Sequence, residues 1–354
     1  MNNILHTSLC DMLGCKYPIV QTAMGWVADA NMVAGTCNAG GFGFLAGAVM
    51  TPAEVEAAIL KTKSLTDKQF GLNFHMFQPG ANEIIEIAIK HRDKVRAVSY
   101  GRGPDKKMIQ RFKDAGILCM PTVGAVKHAV KAIELGADIV TVQGGEGGGH
   151  TGSVPSSILL PQVLDAVKVP VVAAGGFYDG RGLASALACG AAGIAMGTRF
   201  LMTKESPVPQ ATLQHYLAVK DPSAIRTTKA VDGLPQRFLD NPTLHRLEDA
   251  SPLQRIFISA GNAWKWRAKT GMTIGQMMEF AIKALRDDSS ISETIMSANA
   301  PVVIQRAMVE GVPDEGLMPS GQVAAMIREL QSCEEVIAGI AAQATARLES
   351  FCSK

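Results

Sequence analysis

The chain has 354 residues, 47% of them hydrophobic and 19% charged, which allows a sizeable core and argues against global disorder. The formal net charge is +2, and no basic block interleaves with aromatics, so nucleic acid is a poor candidate partner. No apolar run reaches the length of a membrane span, and the stretch from Met1 to His6 lacks a basic-then-apolar leader pattern, so a cytoplasmic, non-membrane protein is expected. Seven scattered cysteines with no Cys-x-x-Cys pair read as reduced thiols, with neither a disulfide frame nor a zinc site.

From Pro18 onward, short apolar strands alternate with amphipathic helical stretches. The first strand runs from Pro18 to Ala23, and a helix follows near Asp29 to Asn38. The second strand is Phe42 to Ala46, and Thr51-Pro52 opens the next helix with a capping residue and a proline at the first helical position. The third strand, Phe70 to His75, precedes a helix near Ala81 to His91. The fourth, Ala97 to Tyr100, precedes a helix after Pro104. The fifth, Ile117 to Thr122, precedes a helix from about Ala125 to Leu135. The sixth is Ile139 to Val142, with its helix near Ser157 to Ala166. The seventh is Val169 to Ala174, with a helix from Asp179 to Ala188, and the eighth is Gly193 to Met196.

Eight strand–helix units call for parallel strands, because each crossover needs a helix. Eight is also the number that closes a (β/α)8 TIM barrel of about 250 residues. An open doubly wound sheet is the runner-up; the first strand lacks the Gly-x-Gly-x-x-Gly fingerprint with a later acidic residue. Beyond Gly197 the pattern changes. The stretch Thr198 to Leu217 reads as helix interrupted by Pro207 and Pro209. Lys220 to Ser290 is richer in charge and turn formers, holds Trp264 and Trp266, and predicts a helix near Ile274 to Leu285. The expected class is therefore an α/β barrel, residues 1–217 and 291–354, with a mostly helical insertion at 218–290 after the eighth strand. Helices near Val323 to Leu330 and Cys333 to Phe351 close the chain.

The chemistry concentrates after the sixth strand. Five of the six residues following Gln143 are glycine, and this loop delivers His150. Such density lets the backbone adopt positive φ and approach a flat ligand closely. The bland alternative is a flexible loop with an incidental histidine. In a barrel the C-terminal strand ends converge on one face. Those ends offer Gln21 to Gly25, Asn73, His75, Thr122, Gln143, Gly175, Gly176, Gly197, Thr198 and Arg199. No carboxylate pair is among them, which disfavours a glycosidase. No ligand-spaced His/Asp/Glu cluster is present either, so no metal is expected. Ala173 to Gly182 and Met196 to Phe200 follow the last two strands, where many barrels bind phosphate through backbone N–H groups. Gly175 and Gly176 permit close approach, Thr198 adds a hydroxyl, and Asp179 reads as a helix cap.

A phosphate site in a polar, glycine-lined mouth suggests a phosphorylated cofactor that carries the chemistry itself. FMN fits, with Asn73 and Gln143 at the isoalloxazine edge and the Ala23-Met24 backbone along the ring. Pyridoxal phosphate is disfavoured because no strand end offers a lysine. His75 is a site residue or a satisfied histidine, His128 reads as surface, and Cys119 as core. Trp264 and Trp266 read as packing residues, and Lys106-Lys107 as a solvated face.

Several stretches together resemble one family: Pro18 to Met24, Asn38 to Gly43, Phe70 to Asn73, Gln143 to Gly152, Ala174 to Gly182 and Met196 to Phe200. The chain is similar over nearly its whole length to the nitronate monooxygenase (2-nitropropane dioxygenase) family of FMN-dependent barrels, which also contains NADH:quinone reductases and FMN-type enoyl-acyl-carrier-protein reductases. The resemblance implies FMN contacts from Ala23, Met24, Asn73, Gln143, Gly148, Gly149, Gly175, Gly176, Gly197 and Thr198. It implies His150 as catalytic base or anion-positioning group, and Gln322 as part of a late Gly-Gln element reaching toward the flavin. The expected activity is oxidation of alkyl nitronates with O2. The alternatives are an FMN oxidoreductase of acyl or enoyl thioesters (CoA or carrier protein) using NAD(P)H, and an NADH:quinone reductase. The insertion matches no nitronate-specific signature, and Gly316 to Gln322 is as similar to thioester-handling members. A non-enzymatic flavin-storing barrel is the remaining alternative, and a homodimer is the base-rate expectation.

Overall fold

Residues 4–76, 78–101, 105–251, 254, 261, 275 and 299–352 are described by a computed structural model. The chain divides into two compact units. The first comprises residues 1–147, 152–207 and 327–354; the second comprises 148–151 and 208–326. The expected insertion spanned 218–290, so the second unit takes in more chain on both sides and also four residues of the glycine loop. Trp264, Trp266 and the helix expected near Ile274 to Leu285 lie outside the described residues.

In chain order the elements of the first unit are α1 (Ser8–Leu13), β1 (Ile19–Gln21), α2 (Ala30–Asn38), β2 (Phe42–Ala46), α3 (Pro52–Leu65) and β3 (Phe70–His75). Then follow α4 (Ala81–Lys90), β4 (Val95–Gly101), α5 (Lys106–Asp114), β5 (Leu118–Cys119), β6 (Thr122–Val123), α6 (Val126–Glu134) and β7 (Val140–Gln143). After β8 (Gly149–His150), which belongs to the second unit, come α7 (Ser156–Ala166), β9 (Val171–Ala174), α8 (Gly180–Cys189), β10 (Gly193–Met196) and α9 (Thr198–Leu201).

The sheet of the first unit runs β5-β4-β3-β2-β1-β10-β9-β7-β6, every pair parallel. Its two ends are halves of one strand. Met120 N–H bonds Val98 O on one side, while Pro121 O accepts from Thr141 N–H on the other, so the sheet closes on itself. The expected fifth strand, Ile117 to Thr122, is thus broken in two. Pro121 is the reason, since proline has no N–H to donate to a ladder.

Alternation along the strands sorts the side chains into two cores. Inside the barrel, Val20, Phe42, Phe44, Ala97, Met120, Ile139, Val172, Ala174 and Ala195 pack together, and Leu9 and Leu13 of α1 join them. A second cluster, including Val33, Leu72, Phe74, Ile84, Val98 and Phe112, seals strands β2 to β5 against α2 to α5. Burying one such Leu, Ile or Phe is worth about 1.5–3 kcal/mol. The helices begin where short polar side chains cap them. Asp29 accepts from Met32 N–H, Thr51 and Glu54 form a reciprocal capping box, and Asp179 accepts from Arg181 and Gly182 N–H.

Among the described residues, the helices and strands of the second unit after β8 are α10 (Gln210–Ala218), β11 (Ile225–Thr228), β12 (Gln236–Leu239), α11 (Pro242–Asp249) and α12 (Asn299–Met308). The expected helix from Val323 to Leu330 is instead a 3-10 turn at Gln322–Met326. Where mostly helix was expected, β11, β12 and β8 form a three-stranded antiparallel sheet. Ala230, Val231, Phe238, Leu244, Leu247, Ala300 and Leu317 are its core. The strand signal was weak because β11 and β12 are four residues each, below the length at which alternation is decisive.

The last helix, α13 (Cys333–Cys352), returns to the first unit and packs between α8 and α2. That is the place a helix after the eighth strand would take. Gly180 makes the contact close: a Cβ there would lie 2.5 Å from both Ala344 N and Ile340 O.

Candidate active site

Strand register sets the first cluster. β7, β9, β10 and β1 are consecutive neighbours, with Gln143 opposite Ala174, Ala174 opposite Ala195, and Gln21 opposite Met196. The residues just past these pairs therefore leave the barrel side by side. They are the glycine loop, Gly175-Gly176, Gly197-Thr198 and Ala23-Met24. Asn73 sits near the end of β3, its amide donating to Ser99 O at 3.2 Å.

Glycine is required at the turn after β9. Gly175 and Gly176 have φ of +89° and +85°, and a Cβ on Gly175 would fall 2.8 Å from Gly144 O. At the other turn, a Cβ on Gly197 would enter the hollow lined by Thr22 and Met24, 3.2 Å from Thr22 Oγ1 and 3.4 Å from Met24 Sδ. Thr198 is the first residue of α9, whose opening N–H groups have no acceptor within the helix. The loop's only carboxylate is committed elsewhere. Glu146 accepts from Ser156 N–H at 3.0 Å and Ser156 Oγ at 2.9 Å, holding the start of α7. The backbone after β1 carries a feature that sequence reasoning missed. Trp26, at φ +61°, is the non-glycine residue with positive φ among the described residues. Val27 and Ala28 N–H groups both close on Met24 O around it. A large aromatic side chain in that conformation has no signature in the residue order, and such strain gathers at functional loops.

These residues fit FMN. Two turns of bare backbone suit a phosphate, two strand-end amides suit the polar edge of a flavin, and Gly197 leaves room where a side chain would intrude.

The second unit holds Gly148, Gly149, His150 and Gln322. A Cβ on Gly148 would lie 2.6 Å from Gly321 N, so the late Gly-Gln element packs against the glycine loop's tip. Gln322 opens the 3-10 turn. His150 pairs with Gln236 in the sheet, and its Nε2 lies 2.8 Å from Asp232 Oδ2. The pair is asymmetric: the His150 side chain is 54% exposed and that of Asp232 only 7%. Burial alone would raise the Asp232 carboxyl. The His150 hydrogen bond and charge, with the Gln236 amide and the Leu234 N–H, outweigh it and leave the group below the usual carboxylate range. Sequence reasoning did not single out Asp232, because it lies 82 residues from His150 in an Asp-Gly-Leu-Pro stretch that reads as a turn.

The remaining candidates separate cleanly. His75 is exposed at the end of β3, and His128 is exposed on α6. Cys119 is buried in the outer core, and burial pushes its thiol up to about 12. Among the described residues no group of three or more His, Cys, Asp or Glu side chains is placed to hold a metal, and no helix is long and apolar enough to cross a membrane.

The barrel is that of an FMN-dependent oxidoreductase. Residues 6–343 match the nitronate monooxygenase family model, and the chain belongs to that family. It is 46% identical to (3aS,4S,5R,7aS)-5-hydroxy-7a-methyl-1-oxo-octahydro-1H-indene-4-carboxyl-CoA dehydrogenase of Rhodococcus jostii, over 98% of each chain. It is 31% identical to a probable nitronate monooxygenase of Staphylococcus haemolyticus, over 66% of this chain and 80% of that one. Among solved structures, FabK from Thermotoga maritima superposes with a TM-score of 0.78 at 28% identity, covering 98% of this chain and 99% of that one. Nitroalkane oxidase from Streptomyces ansochromogenes gives 0.76 at 26% identity, covering 97% and 99%.

Proposed function

We propose that this FMN-dependent oxidoreductase dehydrogenates a saturated ring-carboxyl CoA thioester between its α and β carbons, with His150 as the base. The observation that carries this reading is the end-to-end match to carboxyl-CoA dehydrogenases at 46% and 44% identity. The first expectation from the residues was nitronate oxidation. Its named relatives match at 28–31% over about two thirds of the chain, and the weight moves to the thioester.

The chemistry asks for little beyond what is present. A thioester carbonyl acidifies the α C–H, so one positioned imidazole suffices to take that proton. His150 accepts it, and the anionic Asp232 carboxylate stabilises the imidazolium that results. When bound, FMN would supply the two-electron acceptor chemistry that the β hydrogen requires. Gly175, Gly176, Gly197 and Thr198 would hold the cofactor's phosphate, and Asn73 and Gln143 would orient its ring. The product is the α,β-unsaturated thioester.

An anaerobic visible spectrum of the FMN-loaded protein tests this. A saturated alicyclic carboxyl-CoA should bleach the flavin band near ~450 nm, while propyl-2-nitronate should leave it unchanged. Bleaching by nitronate alone assigns nitronate oxidation. Bleaching by NADH alone assigns a reductase.

A further inference from the structure

Two of the cysteines are brought together by the cap of a helix. α1 ends at Leu13, and Gly14 follows at φ +69°. The N–H groups of Gly14 and Cys15 both close on Cys10 O, at 2.9 and 3.2 Å. In such a cap the residue after the glycine meets the side chain one turn back, a contact usually made by two apolar groups. Here both are cysteines, Cys10 buried and Cys15 half-buried, and both are free thiols. They lie at the N-terminal end of the barrel, opposite the strand ends of the candidate site. Leu9 and Leu13 of α1 fill the barrel interior there, and Thr7 Oγ1 donates to Ala192 O just before β10. On the other side of the pair, Lys16 and Tyr17 N–H both bond Gly40 O, so the contact is held from both ends.

We infer that Cys10 and Cys15 form a redox-active dithiol, a modification site on the plug of the barrel that hydrogen peroxide converts into an intrachain disulfide and a thiol reductant restores. The Cys10 sulfur attacks one peroxide oxygen. An S–O bond forms, the O–O bond breaks, and the other oxygen takes a proton and leaves as water. The Cys15 sulfur then attacks the sulfenic sulfur of Cys10. The S–S bond forms, the S–O bond breaks, and the oxygen leaves as water with the Cys15 proton. The two thiols lose two electrons and two protons, and the peroxide becomes two waters. The surroundings set this order of attack. The Cys15 S–H donates to the Cys10 sulfur; burial opposes it, but with hydrogen bonds from Thr7 and the nearby His6 it brings the Cys10 thiol down to about 6. The same contact pushes Cys15 up, and burial adds to it. The only acceptor for a Cys10 S–H is Lys16 O at 3.9 Å, a weak contact that the thiolate gives up. Cys37 is the next thiol. Its sulfur accepts from Gly43 N–H at 3.4 Å, and burial pushes it up to about 12, which keeps it out of the exchange.

Trypsin cleaves first after Lys16, so one peptide, Met1 to Lys16, carries both cysteines and no others. The reduced, FMN-loaded full chain is treated with hydrogen peroxide, blocked with N-ethylmaleimide in urea and digested without reductant. That peptide should appear two hydrogens lighter and unlabelled, and dithiothreitol before blocking should restore both labels. The rate of label loss should level off above about pH 6 in the folded chain. In the urea-unfolded chain it should keep rising to about pH 8.5, the range of an unperturbed thiol. In Cys15→Ser the remaining Cys10 should stop at the sulfenic acid and be captured by dimedone. Survival of both labels at a peroxide dose that oxidises the exposed Cys189 overturns the inference, and that result needs no variant. Loss of the labels to sulfinic acid without a disulfide also overturns it. No acyl-CoA enters the experiment, so its outcome is separate from that of the thioester reading.

Discussion

At the scale of single residues, the proposed proton chemistry rests on one polar pair of the second unit. His150 is exposed and Asp232 is buried, so in the proposed reaction the histidine is the group open to substrate, while the carboxylate faces His150, the Gln236 amide and the Leu234 N–H. The residues proposed above to hold the FMN phosphate and ring, Gly175, Gly176, Gly197, Thr198, Asn73 and Gln143, are in the first unit. Replacing His150 by Asn should therefore remove the base without removing the cofactor. The expected outcome is a fall of about 10²- to 10⁴-fold in kcat for the thioester, with the yellow colour and FMN stoichiometry retained after gel filtration. Turnover that survives the substitution would sink the base assignment. Glu146 is the instructive contrast. It neighbours the same glycine run and is a carboxylate, yet Ser156 claims both its oxygens and leaves it a structural cap.

At the scale of elements, the turn leaving β9 is the most constrained piece of the cradle. Gly175→Ala would place a methyl 2.8 Å from Gly144 O at a φ of +89°. Neither the strain nor the clash can relax without moving the glycine loop. The expected cost is about 1–3 kcal/mol, seen as a lower urea midpoint, together with loss of FMN on dilution. A variant of normal stability that keeps its FMN would show that this backbone is not the phosphate cradle. The same contrast explains what was legible in the residue order. The expected strands Phe42–Ala46, Phe70–His75 and Gly193–Met196 coincide with β2, β3 and β10, because buried parallel strands are short apolar runs between helices that carry their own caps. Glycines such as Gly175 and Gly176 stand out because the backbone leaves no other residue type. Asp232 does not stand out, since its role exists only through pairing of β8 with β12, a contact between distant and very short strands. The break at Pro121 was readable in principle from the missing N–H. A two-residue strand on either side carries no periodicity to announce it.

At the scale of the whole molecule, cofactor binding and stability are one measurement. The residues proposed to hold FMN lie at or just past the ends of β1, β3, β7, β9 and β10, so a ligand on them would bridge strands far apart in sequence and should oppose opening of the barrel. A ligand that binds only the folded chain adds about 2.7 kcal/mol at a hundred times its Kd. For a chain of this size that corresponds to several degrees in Tm, at about 2–4 °C per kcal/mol. In the proposed site the turn at Gly175-Gly176 and the start of α9 hold the phosphate, so the phosphate should carry much of this gain. Riboflavin has the same ring and lacks that group. The expected result is a clear, concentration-dependent rise in Tm with FMN and a small one with riboflavin at equal concentration. In Thr198→Val, which removes the hydroxyl and keeps the shape, the two ligands should draw closer. Equal rises from FMN and riboflavin in the unsubstituted protein would move the affinity from the backbone turns to the ring, and with it the assignment of Gly175, Gly176, Gly197 and Thr198.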